Sequence, residues 1–272
     1  MVVLQPVATA LVRLLAPLGV DPLALVTVHS VMGLVAAVAI AAFPPPSDAS
    51  TSIGWLVAAG LLAAKALLDN VDGGLARATG RVTRMGRYYD TGMDLVVNAA
   101  VFAALAWHVG ALLAVAGFLA STAVLSLDFN MERLYRRERI VDAPGPPGSE
   151  PPRGAPEPVY RLFEGLYRYL LAPQDRWIER ADRALFERVE GAPFEAAPLE
   201  RRLAWSDLFS TATLVDLGLS TQTLALAALL VAGVPGWFPW ACLAALGWAL
   251  GVQVRRLGRY AAYRRAEEVP LP

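Results

Sequence analysis

The stretch Asp69-Asn-Val-Asp72-Gly73-Gly-Leu-Ala76-Arg77 decides how this chain is read. After eight residues it continues as Gly86-Arg-Tyr-Tyr-Asp90-Thr-Gly-Met-Asp94. Four carboxylates sit at or inside apolar segments, where an uncompensated charge is costly. A helix turns by about 100° per residue, which puts Asp69, Asp72, Gly73 and Ala76 on one narrow face. Gly86, Asp90 and Asp94 share a face of the next helix by the same geometry. Two carboxylates facing two carboxylates make a site for hard divalent cations, and oxygen ligands in that number suit Mg²⁺ or Mn²⁺.

The spacing D-x2-D-G-x2-A-R-x8-G-x3-D-x3-D resembles the signature of the CDP-alcohol phosphotransferases (CDP-alcohol phosphatidyltransferases), integral membrane enzymes of phospholipid synthesis. Asp69, Asp72, Gly73, Ala76, Arg77, Gly86, Asp90 and Asp94 fill every signature position. The motif covers about a tenth of the chain. A compatible pattern of membrane helices extends the resemblance over most of the rest.

Composition agrees with a membrane protein. The chain is 56% hydrophobic with positive mean hydropathy, and its apolar residues come in blocks. The net charge of zero hides segregation, and Lys65 is the only lysine. A single cysteine, Cys242, excludes an internal disulfide. His29 and His108 are too few for a zinc site. No cleavable signal peptide is expected, and the amphipathic stretch from Val7 to Leu15 reads as an interfacial helix ending at Pro17.

Six segments are long and apolar enough to span a bilayer, at roughly 22–43, 53–75, 88–108, 110–132, 209–232 and 237–257. Pro44-Pro45-Pro46, Gly110 and Gly233-Val-Pro235-Gly236 mark breaks between them. Basic residues collect in alternate connections: Arg77, Arg81, Arg84 and Arg87, then Arg133, Arg136, Arg137 and Arg139, then Arg255, Arg256, Arg259, Arg264 and Arg265. The other three connections carry no Lys or Arg. The positive-inside rule then places both termini and the acidic motif on the cytoplasmic side of the cell membrane.

The expected fold is an all-α integral membrane protein. It has six transmembrane helices, an N-terminal interfacial amphipathic helix and a cytoplasmic helical insertion between spans four and five. Residues 1–141 hold the interfacial helix and spans one to four with the motif. Residues 142–205 form the insertion, and 206–272 hold spans five and six with a basic tail. Within the insertion, 142–158 reads as a Pro/Gly-rich linker. Residues 159–190 read as amphipathic helix divided near Pro173. One apolar stripe is Val159, Leu162, Phe163, Leu166, Tyr169 and Leu170; the other is Trp177, Ile178, Leu185 and Val189. This segment reads as a pad on anionic lipid heads, or as a contributor to acceptor recognition or a lid.

The resemblance implies attack of an alcohol on the β-phosphorus of a CDP-linked donor with release of CMP, at two divalent ions, Mg²⁺ or Mn²⁺. Carried over residue by residue, Asp69, Asp72 and Asp90 are metal ligands. Asp94 is the general base and a possible further ligand. Asp72, Gly73, Ala76, Arg77 and Gly86 surround the donor. The resemblance also implies a homodimer, and no nucleic-acid partner is expected. Gly73, Ala76 and Gly86 either clear space for the cytidine or allow close helix packing. Arg77 pairs with donor phosphates or anchors its helix end.

Outside the motif, Lys65 stands one turn before Asp69, about 6 Å along the axis. It either pairs with a motif aspartate or binds an anionic part of a substrate. Asn98 continues the Asp90/Asp94 ridge and reads as an acceptor contact or an interhelical bond. Asp216, with Thr213, Ser220 and Thr223, reads as a polar stripe in span five. Arg133, with Arg136 and Arg137, is a candidate for an acceptor phosphate.

Two departures from the family pattern stand out. Where many members have Pro-Asn and then Thr three residues on, this chain reads Pro22-Leu23-Ala24-Leu25-Val26, leaving Asp21 or Thr27 as substitutes. Leu95 follows Asp94 in place of the basic residue common in enzymes with phosphorylated acceptors. The reading is phosphatidyl transfer from CDP-diacylglycerol to a polar alcohol. One alternative is headgroup transfer from a soluble CDP-alcohol to diacylglycerol. Another is a divalent-cation transporter or channel, which explains the acids but not Gly73, Ala76 and Arg77.

Overall fold

The computed structural model describes residues 4–43, 52–139 and 157–267. Helices make up nearly all of it, with no strand among the described residues. In chain order they are α1 (Gln5–Leu15), α2 (Pro22–Ala42), α3 (Ile53–Ala78), α4 (Arg84–Val109), α5 (Ala111–Arg139) and α6 (Glu157–Leu166). There follow α7 (Ala172–Glu190), α8 (Leu199–Trp205), α9 (Leu208–Val215), α10 (Leu219–Val231) and α11 (Phe238–Glu267). The Pro44-Pro45-Pro46 break and residues 142–156 of the expected linker lie outside the described residues, while Glu157 and Pro158 already belong to α6.

Side-chain caps set several helix starts. Asp21 accepts from the Leu23 N–H, Ser52 from that of Trp55, Thr83 from that of Gly86 and Asp207 from that of Ser210. Each satisfies a backbone donor that has no partner inside the helix. Among the described residues, five helices are long and apolar enough to cross a membrane: α2, α3, α4, α5 and the segment Pro235–Glu267 containing α11. The chain is a multi-pass membrane protein. The expected fifth span, 209–232, is not one straight helix. It breaks at Asp216-Leu217-Gly218 into α9 and α10, which meet at 43°. Gly218 adopts extended backbone at the break, and the Gln222 amide donates to the Leu217 carbonyl that the break leaves without a helical partner.

The membrane core mixes alanines with large apolar residues. α2 packs on α3 and α4, α10 lies along α3, and α11 runs beside α5. Ala36, Ala37, Ala58, Ala59, Ile40, Leu62, Val101 and Leu105 form the centre. At Gly33 a side chain is impossible without movement, because an added Cβ would stand 2.5 Å from Val97 of α4. That close approach of α2 to α4 aligns the two helices beside the acidic motif. The N-terminal helix α1 packs on α3, with Val12 against Gly74.

The residues expected to form the insertion pack on one another and on α11. Phe186, Phe194, Trp205 and Tyr260 form a second core that joins α7 and α8 to the far end of α11. Arg256 of α11 is fully buried there. It donates to Asp182 at 2.5 Å and to the Trp205 carbonyl at 2.8 Å, and it stacks on the Trp205 ring. Glu190 accepts from Arg201 and Tyr260 and pairs with Arg264, while Glu138 of α5 pairs with Arg202. The expected stripe on α7 is rotated as a result. Ile178 and Phe186 face inward, whereas Trp177 and Leu185 face outward, because the aromatic core lies on the 178/182/186 side. A π-helical turn at Tyr167–Leu171 separates α6 from α7, and Pro173 falls in the first turn of α7, where its missing N–H costs little.

Candidate active site

The two motif helices meet as their spacing requires. α3 carries Lys65, Asp69 and Asp72 toward its C-terminal end, and α4 starts at the Thr83 cap and brings Asp90 and Asp94 opposite them. One oxygen each from Asp69, Asp72 and Asp90 and one nitrogen of His29 lie within 4.8 Å of one another. His29 comes from α2 and is fully buried. Its Nε2 is 2.7 Å from Asp72 Oδ2 and 4.0 Å from Asp90 Oδ1. Sequence reasoning missed it. A lone histidine in an apolar span, 43 residues before its partner, has no local signal beyond its polarity.

Two atoms in this group are buried and have no hydrogen-bond partner: Asp90 Oδ1 and His29 Nδ1. An unpartnered carboxylate oxygen among three acids is poorly stabilised by protein groups alone. The donor set therefore fits a hard divalent cation held by Asp69, Asp72 and Asp90.

Asp94 stands apart from that group. Its Oδ1 accepts from Lys65 Nζ at 2.7 Å, and the same ammonium is 3.6 Å from Asp69 Oδ1. Lys65 is thus paired with motif aspartates. Asp94 and Lys65 form one end of a cavity that Asn98, Gln222 and Thr223 continue on the polar side. Leu62, Val97, Val101, Leu226 and Phe238 form its apolar walls. Asn98 also makes an interhelical bond, donating to Ser121 Oγ, which in turn donates to Gln222 Oε1.

The small motif residues are not filled by a neighbouring helix. A Cβ on Gly73 would meet only the Arg77 guanidinium, which folds back one turn over that face. At Gly86 it would meet Thr83 of the same helix start and, at 4.0 Å, Leu23 of α2. Ala76 lies on the Gly73 side, half-buried, and Arg77 is exposed. The two candidate substitutes on α2 are committed locally. Asp21 caps its helix, and Thr27 bonds Tyr89 Oη at 2.9 Å. Tyr89 also packs edge-on against Phe163 of α6, and Phe163 seats on Gly92 of α4. The insertion therefore touches the helix that carries Asp90 and Asp94.

Two further candidates lie elsewhere. Asp216 is exposed at the break between α9 and α10 and does not line the cavity, because the chain turns there instead of continuing as a straight polar stripe. From the same stripe, Thr223 does line it, and Ser220 accepts from Asn70 of α3. Arg133 donates to Glu179 of α7 at 2.7 Å and to Asn130, which ties it to the insertion.

The family model for CDP-alcohol phosphatidyltransferases matches residues 23–146. Residues 23–146 are similar to that family. The match spans α2 to α5 and contains every motif residue, His29 and Lys65. The resemblance supports transfer of a phosphate-containing group in phospholipid synthesis. Searches of curated proteins and of solved structures found no match to the chain.

Proposed function

We propose that this protein transfers a phosphatidyl group from CDP-diacylglycerol to an alcohol and releases CMP, dependent on Mg²⁺ or Mn²⁺. The observation that carries the reading is the convergence of Asp69, Asp72 and Asp90, one oxygen of Asp90 unpartnered, beside a separate carboxylate that opens on a cavity. Asp69, Asp72 and Asp90 hold the cations, two in number by family resemblance. When bound, they offset the diphosphate charge and favour departure of CMP. Arg77, folded over Gly73, faces the space where donor phosphates enter. Asp94 accepts the proton of the acceptor hydroxyl as its oxygen bonds to the β-phosphorus. The bond from that phosphorus to the CMP oxygen breaks, and its electron pair leaves with CMP. The basic residues cluster at the motif end of the bundle, which supports a site on the cytoplasmic side.

A second reading is headgroup transfer from a soluble CDP-alcohol to diacylglycerol. The apolar walls of the cavity next to Asp94 favour it, since a lipid alcohol would bury its body there. One experiment separates the two. Purified protein in lipid nanodiscs is given labelled CDP-diacylglycerol with a panel of alcohols, or labelled CDP-choline and CDP-ethanolamine with diacylglycerol. The main reading expects CMP and a new phospholipid in the first arm only. Product in the second arm alone would replace it with the alternative. No CMP in either arm, with Mg²⁺ or Mn²⁺ present, would reject both.

A further inference from the structure

We infer that Lys65 is a positioning residue that holds Asp94 out of the cation site and so keeps it available as the proton acceptor. The inference rests on the reading above. Four acids of one motif lie on the facing helices α3 and α4, yet they are not equivalent. Asp69, Asp72 and Asp90 converge with His29, whereas Asp94 turns to the Lys65 ammonium. Lys65 is buried, one turn before Asp69, and its Nζ lies between Asp94 Oδ1 at 2.7 Å and Asp69 Oδ1 at 3.6 Å. Gly33 of α2 makes this possible. An added Cβ there would stand 3.2 Å from Lys65 Cδ, so α2 leaves a channel for the lysine stem.

A fixed positive charge at that place has two consequences of opposite sign. It orients Asp94 toward the cavity with Asn98, Gln222 and Thr223, where an acceptor hydroxyl would enter. It also repels a divalent cation held by the neighbouring Asp69, so it weakens cation binding for the sake of a free carboxylate. A lysine that only braced the helices would have no such divided effect. Losing it would loosen the site and weaken both cation binding and turnover.

The test uses the full chain in detergent or nanodiscs, with Mn²⁺ binding read by electron paramagnetic resonance and CMP release read separately. Lys65→Met keeps the stem and removes the charge. Mn²⁺ should bind more tightly, by about tenfold or more, while turnover falls. Lys65→Arg keeps the charge and should stay near the native Mn²⁺ affinity. The double variant Lys65→Met/Asp94→Asn removes one charge of each sign and leaves Asp69, Asp72, Asp90 and His29. Its Mn²⁺ affinity and ion count should return to the native values.

Weaker Mn²⁺ binding in a folded Lys65→Met protein would overturn the inference, as would loss of an ion in the double variant, which would make Asp94 a ligand. Should Lys65→Met fail to fold, the double variant and Lys65→Arg still decide. Failure here with native CMP release intact leaves the proposed reaction standing. Absence of CMP release in the native protein rejects the reaction itself.

Discussion

Two regions at the same end of this bundle bury charge, and they do it in opposite ways. In the insertion core, Arg256 meets Asp182, Glu190 meets Arg201 and Arg264, and Glu138 meets Arg202. Aromatic rings pack around these pairs, and Tyr260 and the Trp205 carbonyl take up further hydrogen bonds. Four aspartates of the motif, by contrast, face one lysine and one histidine, and Asp90 Oδ1 has no hydrogen-bond partner. Matched buried ions hold elements in register. Unmatched buried acids lower stability and persist where something outside the chain completes them. Both regions leave a buried carboxylate oxygen without a hydrogen bond, Glu138 Oε1 in one and Asp90 Oδ1 in the other, so what separates them is the excess of acids over bases around the motif.

The sharpest way to break that contrast is to neutralise one unmatched acid. Asp90→Asn should take turnover below detection, because it removes the oxygen that most lacks a protein partner. Its melting temperature without metal should hold or rise, since an uncompensated charge is gone. A chelator should silence the native protein, and Mg²⁺ or Mn²⁺ should restore it. A variant that melts markedly lower without metal would mean that Asp90 is a structural charge after all.

Asp94→Asn should have the next largest effect. General bases contribute roughly 10²- to 10⁴-fold in rate, and turnover should fall within that range. Binding of the CDP donor, measured by calorimetry, should persist, because the ligand group does not include Asp94. Joint collapse of donor and metal binding would place Asp94 among the ligands.

The insertion should answer in the other currency. Arg256→Met takes the arginine from the Asp182 carboxylate and leaves it the Trp205 indole N–H. Removing one partner of a buried pair costs about 3–5 kcal/mol. The melting temperature should drop clearly. Turnover below that temperature should stay within about threefold of native, since distant sites act nearly independently. A large loss of turnover with unchanged melting would show that the insertion core serves the chemistry directly.

The two regions also differ in how far the sequence exposes them. The acids were legible because helical geometry is local: residues three and four apart share a face whatever surrounds them. Nothing local brings His29 to Asp72, since that meeting depends on how closely α2 approaches the motif helices at Gly33. The same holds for the insertion. Phe186, Trp205 and Tyr260 come from three different helices, and only their packing shows that Phe186, not Trp177, turns inward. The break at 216–218 was hidden for another reason. Average apolarity over 209–232 suits a span, and the turn shows only in Asp216, Gly218 and the reach of Gln222 to the Leu217 carbonyl.

The smallest expected effect lies where the two regions meet. Arg133 of α5 holds Glu179 of α7, and Arg183 holds the same carboxylate from one turn away. Partial burial pushes the Glu179 carboxyl up, but Arg133 and Arg183 together outweigh it and keep it below its ordinary value of 4.5. A folded-state value below the unfolded one stabilises the fold at any pH above the unfolded value. That contribution disappears as the pH falls through the lowered folded value. The pair is half open to solvent, so its worth is at most about 1 kcal/mol. Glu179→Gln should therefore melt slightly below the native protein at neutral pH. The gap should close as the pH drops beneath 4.5, where both proteins carry a neutral group at this position. Thermal unfolding across that range, at low and at high salt, checks it. A gap that widens in acid would show that the Arg133 contact does not hold Glu179 ionised, and that α7 is fixed to α5 by its apolar core alone.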